Sequence, residues 1–596
     1  MRRLKLVRVL PIAAAIVTIA LLAASCGGSA KTTTTSAGST EPKAGGTLNL
    51  FTASDVLGFD EGYNAPWFAW TTHMTEDEML NGDWTQGPAG SGKWTWTLDG
   101  IYNWSSKAGS VCESWEAVSP YHYTFKVRKG IHFSLDPNNE ASKLVNGREL
   151  TADDVVYSYV RLMTLPESYI VTAHPEFCKK TKITATDKYS IDLVVPNDPD
   201  SIFQIAQIVV DWNGVIAKEV IDKWGDMKDW KLAHGTGPFM LTDYVTQSEL
   251  TFKKNPNYWD TDPIGPGKGN KLPYVDTVKF FIIADASAAQ AALRTGQIDI
   301  LNPMGGLGAD DTRAIKQTTP GLSSVSIKAM QGMPQIFMRT DKADLPYSNK
   351  KVRQALIKAV DYKTLVNTLF GGEGYYPSFP TPPLPDLKDV VLPLDEASAE
   401  AQNLYAYDVA TAKKWLEDAG YGTGFKATIL VQNTPANTDY LAAIKQMWEK
   451  INVTLEIQPL EFGVYMNRWV ARDYDEMFFG IMASPGTFRT MVSSQGSGGG
   501  YNLSYITDDR LAAAKTQMMD LFAKGDEAGV ARVHRDICKY IYEQAWAVTT
   551  PAGTGTIFWW PWVKNFHGEG AVGILNTNGW TKWVWVDQSL KTSMGH

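Results

Sequence analysis

Strand-like and helix-like patterns alternate along most of the 596-residue chain, and this alternation limits the possible folds most strongly. Residues 47–51 and 121–128 each alternate apolar and polar side chains with period two, which predicts strands. Thr151 then begins a helical pattern, with Asp154 three residues later as an acidic variant of the capping box. A chain that repeats such units is predicted to fold into mixed α/β layers, in which helices cover sheets.

The second half of the chain continues the pattern with clear helix starts. Ser348 and Asp361 are predicted to cap the two parts of one helical run, and Asp408 is predicted to cap another helix. Residues 440–451 are predicted to form a third helix, which leads into a strand from residue 453. No internal repeat of fixed period accompanies this alternation, so the α/β prediction covers both halves without a repeat architecture.

Size and composition indicate several soluble domains. At about 150 residues per domain, a chain of 596 residues predicts two to four domains. The chain is 44% hydrophobic with a mean hydropathy of −0.21, which excludes wholesale disorder and a protein built of many membrane spans. The net charge of −8 gives a nucleic-acid-binding role no electrostatic support. Two excesses, 21 Trp and 50 Gly, call for an explanation.

The N-terminus has the pattern of an export signal. Basic residues precede an almost uncharged apolar run over 9–22, and small residues at 23–25 lead to Cys26. The run is shorter than the roughly 20 apolar residues of a membrane span, so residues 1–25 are predicted to be a signal peptide. Their end resembles the lipobox of bacterial lipoproteins, which implies that Cys26 is lipidated and becomes the mature N-terminus. The alternative is cleavage by ordinary signal peptidase next to an incidental cysteine.

The segment after Cys26 suits a lipid anchor. Residues 26–44 are rich in Gly, Ser, Thr and Ala and are predicted to be a flexible tether. Removal of residues 1–25 leaves 52 Lys and Arg against 64 Asp and Glu, a net charge of −12. The mature protein is therefore predicted to lie outside the cytoplasm, on the periplasmic side or the outer face of the cell membrane, held by its lipid alone.

No recognisable catalytic or metal-binding motif accompanies these features. Residues 87–93 have the spacing of a phosphate-binding loop, but Trp94 stands where Ser or Thr would bind magnesium. The eight histidines are scattered without the spacing of metal ligands, and no G-x-S-x-G motif occurs. The sequence therefore predicts a binding protein without cofactor or metal rather than an enzyme. A secreted hydrolase lipoprotein is the alternative from a different class.

Eight short stretches follow one another in a recognisable order. They are ESWE at 113–116, YTFKVRKGIHF at 123–133, LTADDVVYS at 150–158, GTGPF at 235–239, KNPNYW at 254–259, ALRTGQID at 292–299, VRQALIKAVD at 352–361, and the capped helix at 408–421. Each alone is a strand, turn or helix cap. Their order and spacing over residues 45–550 resemble bacterial extracellular solute-binding family 5, the dipeptide- and oligopeptide-binding proteins of ABC transporters.

The resemblance implies a type II periplasmic-binding-protein fold, with two α/β lobes joined by a hinge and an extra subdomain inserted in the first lobe. Carried onto this chain, the first lobe comprises 45–70, 184–300 and 548–596, the inserted subdomain 71–183, and the second lobe 301–547. Ligand would close the lobes, and the closed form would dock on an ABC permease whose ATPase is a separate chain. The protein would act as a monomer.

The resemblance also implies where the ligand binds. The two walls would be formed by Asp55, Val56 and Leu57 after the first strand, and by Phe478, Gly480, Ile481, Met482, Ala483, Ser484 and Pro485. Peptide binders of the family pair the peptide's α-ammonium with an acid, and Ser484 occupies that position here. Either Asp55 or another acid serves the ammonium of a di- or oligopeptide, or the ligand is an oligosaccharide that stacks on tryptophans.

Two further expectations concern the predicted insert. Cys112 and Cys178 lie near its start and end, and in an oxidising compartment they are predicted to form a disulfide, with two separate buried thiols as the alternative. Residues 81–110, crowded with Gly, Ser and Trp, are predicted to form a long surface excursion.

Overall fold

The computed structural model describes residues 41–63, 69–97, 104–197, 201, 204–205, 213–301, 306–328, 333–375, 378–379, 385–482, 502–573 and 576–596. Residues 41–596 belong to one compact unit. The predicted signal peptide, Cys26 and the first part of the predicted tether lie outside the described residues. Among the described helices, none combines the length and the apolar character that crossing a lipid bilayer requires.

The strands are, in chain order, β1 Thr47–Thr52, β2 Leu80–Gly82, β3 Lys107–Gly109, β4 Cys112–Ser119, β5 His122–Val127, β6 Lys182–Asp187, β7 Ser190–Val194, β8 Phe239–Val245, β9 Glu249–Lys254, β10 Thr277–Ile282, β11 Ile300–Leu301, β12 Ser323–Lys328, β13 Met333–Met338, β14 Ser378–Phe379, β15 Leu392–Pro393, β16 Phe425–Gln432, β17 Val453–Leu460, β18 Met477–Met482, β19 Ala547–Thr549, β20 Thr554–Trp559, β21 Val563–Lys564 and β22 Trp585–Val586. The α-helices are α1 Thr72–Thr75, α2 Glu140–Val145, α3 Ala152–Thr164, α4 Tyr169–Ala173, α5 Pro175–Lys180, α6 Lys218–Trp224, α7 Ala286–Arg294, α8 Ala309–Thr318, α9 Lys350–Lys358, α10 Tyr362–Phe370, α11 Ala399–Tyr405, α12 Val409–Asp418, α13 Pro435–Glu449, α14 Phe462–Ala471, α15 Asp509–Ala523, α16 Glu527–Gln544 and α17 Gln588–Ser593.

The first lobe is built on a mixed sheet with the strand order β1-β10-β9-β8. β1 runs parallel to β10, and the remaining pairs are antiparallel. Leu48 and Leu50 of β1 are buried while their neighbours are partly exposed, which is the alternation that predicted this strand. The prediction of a strand at 47–51 is therefore confirmed.

The inserted subdomain has its own antiparallel sheet, in the order β4-β5-β7-β6. Helix α3 covers it with Val155 and Tyr159, and the predicted capping box of Thr151 and Asp154 is present at the helix start. Because β7 pairs with both β5 and β6, this sheet continues through Val194, beyond the predicted end of the inserted subdomain at residue 183.

The second lobe has a five-stranded sheet in the order β17-β16-β18-β13-β19. Strands β16, β17 and β18 are parallel, whereas β13 is antiparallel to both of its neighbours. The predicted caps Asp361 and Asp408 each accept a hydrogen bond from a backbone N–H of the first helical turn at 3.0 Å. Helix α9 is capped by Asn349, one residue after the predicted Ser348.

A further sheet of three strands, in the order β11-β20-β12, lies where the chain passes between the lobes. The chain leaves it after β12 and enters the second lobe with β13, and it returns from β19 to β20 through residues 550–553. Two connections, 329–332 and 550–553, therefore join the lobes. In chain order, the five-stranded sheet begins with β13 at residue 333 and ends with β19 at residue 549, and the predicted bounds of the second lobe are 301 and 547.

Most of the described residues within 81–110 pack into the fold and do not form the predicted surface excursion. Trp84 and Trp96 are buried, and Trp84 stacks on Trp583 with ring centroids 4.6 Å apart and planes within 2°. β2 pairs with β3, so both ends of the segment belong to the fold. The prediction was wrong because the indoles dominate over the Gly and Ser that surround them: a buried aromatic side chain removes a large apolar area from water.

The predicted disulfide is absent, because Cys112 and Cys178 are both free thiols. Cys112 begins β4, and Cys178 lies on α5. Burial raises the pKa of both thiols, that of Cys178 to about 11. The alternative stated above, two separate buried thiols, describes the structure.

Candidate functional site

The carboxyl ends of three parallel strands meet at one edge of the second lobe's sheet. β16, β17 and β18 end there with Gln432, Leu460 and Met482. β13 begins at the same edge, since Met333 pairs with Met482, and β19 ends there before residues 550–553 lead to the first lobe. Ligands of open α/β sheets bind in the crevice outside the carboxyl ends of the strands. This edge is therefore the candidate binding surface of the second lobe.

Glu461, the residue that follows β17, brings a carboxylate to this edge. Its Oε2 accepts hydrogen bonds from the backbone N–H groups of Gly463 at 2.8 Å and Val464 at 3.3 Å, which starts helix α14. The Glu461 side chain is exposed, and the side chains of Phe462 and Val464 are each 48% exposed. An acid beside two exposed apolar side chains suits a ligand with a cation and an apolar part. Sequence analysis overlooked Glu461, although its place between a predicted strand and a helix start was visible.

The predicted wall of the first lobe follows β1, at the carboxyl end that β1 shares with the parallel strand β10. Asp55 Oδ2 accepts hydrogen bonds from the Tyr244 hydroxyl at 2.9 Å and the Gln247 backbone N–H at 2.8 Å, and Oδ1 accepts from the Val56 N–H at 2.8 Å. Val56 is buried, whereas Leu57 is 65% exposed. Asp55 thus ties this turn to the β8–β9 hairpin, and Leu57 is the member of the predicted wall with a largely free side chain.

Phe478 and Gly480 lie on the face of β18 that packs against helix α14. The Phe478 ring is completely buried, and its centroid is 4.9 Å from that of Tyr465 and 5.8 Å from that of Trp469. A Cβ atom on Gly480 would stand 2.5 Å from Trp469 Cζ3. The missing side chain therefore makes room for an indole of α14. In this structure both residues pack against α14, and the expectation that they contact the ligand stays a prediction.

The remaining predicted residues of this wall continue the strand or follow it. Ile481 and Met482 pair with Pro334 and Met333 across the β13–β18 ladder. Ala483, Ser484 and Pro485 lie outside the described residues.

A small cavity of about 10 Å³ lies among the acidic side chains of Asp60, Glu61 and Glu76 and helix α3 of the insert. Both guanidinium nitrogens of Arg161 donate to Asp60, at 2.8 and 2.7 Å, across this cavity. Burial raises the pKa of Glu61 to about 7 and that of Glu76 well above its ordinary value. The cavity has room for about one water molecule, so these acids hold the fold together rather than bind a solute.

Within the described part of the chain, no group of three or more His, Cys, Asp or Glu side chains is placed to hold a metal ion. His234 and His534 are buried, and burial lowers the pKa of the first to about 3 and of the second to about 4. Both are therefore neutral at physiological pH.

Comparison with known proteins gives consistent matches. The model of the bacterial extracellular solute-binding proteins, family 5 Middle, matches residues 108–502. The chain is 26% identical over 424 residues to the dipeptide-binding protein of Escherichia coli (strain K12), which covers 66% of this chain and 72% of that protein. It is also 26% identical over 486 residues to heme-binding protein A of Haemophilus influenzae, which covers 77% of this chain and 79% of that protein.

The solved structures agree on the fold. DppA of Helicobacter pylori in complex with the peptide STSA superposes with a TM-score of 0.65 at 20% identity, and the match covers 92% of this chain and 99% of that one. The fold is that of a two-lobed periplasmic binding protein, so the predicted fold class is confirmed.

Proposed function

Because the chain belongs to the bacterial extracellular solute-binding proteins of family 5, we propose that it captures a di- or oligopeptide between its lobes and delivers it to an ABC importer. The observation that supports this most is that Met333, where the chain enters the sheet of the second lobe, and Thr549, where it leaves that sheet, both lie at the edge where the parallel strands end. Two lobes joined in this way can close around a ligand by hinge motion, with the ligand's contacts to both lobes favouring the closed form. The closed monomer would then dock on the permease.

The proposed contacts come from one exposed surface on each lobe. Glu461 pairs with the peptide's α-ammonium, which supplies the acid that is missing at Ser484. Phe462 and Val464 add apolar area beside it, and Leu57 meets the peptide from the first lobe. Asp55 holds the turn that presents Leu57. An extended peptide would gain main-chain hydrogen bonds that do not depend on its side chains, which favours broad specificity.

The tryptophan content does not support an oligosaccharide ligand. Every tryptophan in the described residues is buried or half-buried. Trp84 stacks on Trp583, and Trp560 on Trp562 at 4.4 Å between ring centroids, so these rings are used inside the fold. The peptide therefore remains the proposed ligand.

The test of the ligand class begins with native mass spectrometry of protein purified without refolding, to identify a retained ligand. Calorimetry then compares di- and tripeptides with oligosaccharides and with heme. Glu461→Gln should weaken peptide binding about 10- to 100-fold, the loss expected for a charge-assisted hydrogen bond. Glu456→Gln is the matched control, since Glu456 is an exposed acid on the preceding strand.

A change at the N-terminus of the peptide tests whether Glu461 contacts the α-ammonium. Acetylation of the α-amine should weaken binding to the wild type and abolish the difference between the wild type and Glu461→Gln. Equal peptide affinity of Glu461→Gln and the wild type would remove Glu461 from the site. Binding of an oligosaccharide or of heme without any binding of peptides would refute the proposed ligand class.

Anchoring through Cys26 belongs to the same proposal, with residues 1–25 removed and 26–44 acting as the tether. Cys26→Ala should release the protein from the membrane fraction, whereas Ser29→Ala in the tether should leave it anchored. A Cys26→Ala protein that stays with membranes after a carbonate wash would contradict the lipid anchor.

A further inference from the structure

An open cavity of about 630 Å³ lies at the seam between the inserted subdomain and the first lobe. The insert contributes Glu113 of β4 with Arg128 and Lys129 after β5. The first lobe contributes Asn257, residues 259–261 and Lys271. Small-molecule sites have volumes of roughly 300–1,000 Å³, so a solute fits here. None of the residues proposed to bind the peptide lines this cavity.

The floor of the cavity is fixed in place by hydrogen bonds. Trp259 Nε1 donates to Asp77 Oδ2 at 2.9 Å, and this buried carboxylate also accepts from the Thr236 hydroxyl at 3.1 Å. The Arg128 guanidinium lies over the Trp259 ring, with its central carbon 4.7 Å from the ring centroid. Arg128 Nε donates to the Ser110 carbonyl at 3.3 Å. A guanidinium stacked and held in this way keeps its orientation before any ligand arrives.

Three cations of the cavity lack a carboxylate partner among the described residues: no ion pair of 4.0 Å or less involves Arg128, Lys129 or Lys271. Arg128 Nη1 and Nη2 donate no hydrogen bond within this part of the chain. Asp260, by contrast, pairs with Lys582 at 3.0 Å, and the carboxylate of Glu113 is exposed at the rim. The net charge of the protein is negative, so most of its surface repels anions. A local group of cations without carboxylate partners is therefore the place where an anion would bind.

We propose that this cavity binds an organic phosphate. The two free Nη nitrogens of Arg128 form the fork that binds two oxygens of one phosphate, and Lys129 and Lys271 add point charges. A phosphate offers several anionic oxygens to these three cations, as a dianion in a monoester or a monoanion in a phospholipid diester, whereas a carboxylate offers two. The volume leaves room for the organic part of the molecule. The phosphate belongs either to a soluble phosphate ester or to the headgroup of an anionic phospholipid in the membrane to which the protein is proposed to be anchored.

The experiment uses the full mature chain carrying Cys26→Ala, so that no lipid of its own interferes. Calorimetry measures binding of glycerol 3-phosphate and of inorganic phosphate, and sedimentation measures binding to vesicles of phosphatidylglycerol against vesicles of phosphatidylcholine. Arg128→Gln should weaken binding at least tenfold, and Lys271→Gln should weaken it about three- to tenfold. Lys182→Gln, an exposed lysine of the insert outside the cavity, is the control and should bind as the wild type does.

The outcomes separate the two sources and the two proposals. Saturable binding of glycerol 3-phosphate that Arg128→Gln removes supports a soluble ester, and binding only to phosphatidylglycerol vesicles with the same loss supports a lipid headgroup. Absence of saturable binding to every probe up to about 10 mM, or binding that both variants leave unchanged, overturns the site. Peptide affinity should be the same in Arg128→Gln and the wild type, so a failure of peptide binding counts against the proposed function and not against this cavity. Circular dichroism checks that the variants fold, and Lys271→Gln carries the test if Arg128→Gln does not.

Discussion

Glu61→Gln should change how the stability of this protein depends on pH. The Glu61 carboxyl is 7% exposed, with its Oε1 2.5 Å from the Thr72 hydroxyl and its Oε2 3.1 Å from the Gly214 backbone nitrogen. Burial raises its pKa from the ordinary 4.5 to about 7, and the neighbouring Asp60 adds to the rise. The carboxyl is therefore neutral in the folded protein at a pH where the unfolded chain has already lost the proton. Glutamine is neutral at every pH and keeps one carbonyl acceptor.

The sign and size follow from linkage. The folded state holds the proton more tightly than the unfolded state, so the stability that the neutral carboxyl provides is fully present below about pH 4.5 and is lost as the pH rises to about 7. The difference between the pKa of Glu61 in the folded and the unfolded state corresponds to about 3 kcal/mol of the free energy of unfolding. Buried His234 and His534, with pKa values lowered to about 3 and about 4, act in the opposite sense below about pH 6.5, because the unfolded chain then takes up protons. The pH dependence of wild-type stability therefore combines both effects. The difference in stability between the wild type and Glu61→Gln isolates the contribution of Glu61.

Urea denaturation between about pH 5 and pH 8 measures that difference. The wild type should lose about 3 kcal/mol relative to Glu61→Gln over this range, with little further change above pH 8. Glu76→Gln should show the same sign and extend to higher pH, because burial raises the pKa of Glu76 well above its ordinary value. Glu417→Gln, an exposed acid on α12, should differ from the wild type by a constant amount. A constant difference for Glu61→Gln as well, or one of opposite sign, would refute the reasoning.

Three further predictions concern packing and thiols. Arg161→Met should lower the free energy of unfolding in urea by about 3–5 kcal/mol, because it strands the buried Asp60 carboxylate, and a loss below about 1 kcal/mol would contradict this. Gly480→Ala should lower the free energy of unfolding by about 1–3 kcal/mol, because its Cβ would stand 2.5 Å from an indole carbon. In the same assay Gly321→Ala should be nearly neutral, because its Cβ would meet nothing closer than 3.8 Å. Equal effects of the two substitutions would show that the strand adjusts to the added methyl group. The three described cysteines should resist a thiol reagent in the folded protein and all react in denaturant without reductant, and a disulfide would leave two of them unreactive there.

Local signals predicted the fold well where the structure depends on neighbours in sequence. The capping box at Thr151 and the caps at Asp361 and Asp408 are formed by side chains that reach three residues along the chain, so their pattern suffices. The domain boundaries depend instead on pairing between distant strands. Residues 190–194 continue the sheet of residues 122–127, and nothing in the alternation of either segment names the other as its partner.

The candidate site shows the same division. Alternation correctly puts Phe478 and Gly480 on one face of a strand, but only the packing of α14 decides that this face is covered. Asp55 was predicted from its place after β1, and two of its three hydrogen bonds come from a hairpin that lies almost two hundred residues further along the chain. Glu461 could have been predicted as a site residue from the strand predicted at residue 453, together with the rule that ligands bind at the carboxyl ends of parallel strands.

The two excesses in composition, glycine and tryptophan, are partly one feature of the fold. A Cβ on Gly87 would collide with the Trp96 ring, one on Gly82 would stand 2.9 Å from Trp96 Cη2, and one on Gly480 would stand 2.5 Å from Trp469 Cζ3. In each case the absence of a side chain lets an indole lie directly against the backbone. The composition of a segment rich in both residues therefore predicts a loop, since glycine favours turns. In the structure the tryptophans of such a segment pack in the core. This is why residues 81–97 turned inward, and why glycine beside tryptophan in this chain indicates close packing of the ring rather than an exposed or ligand-facing loop.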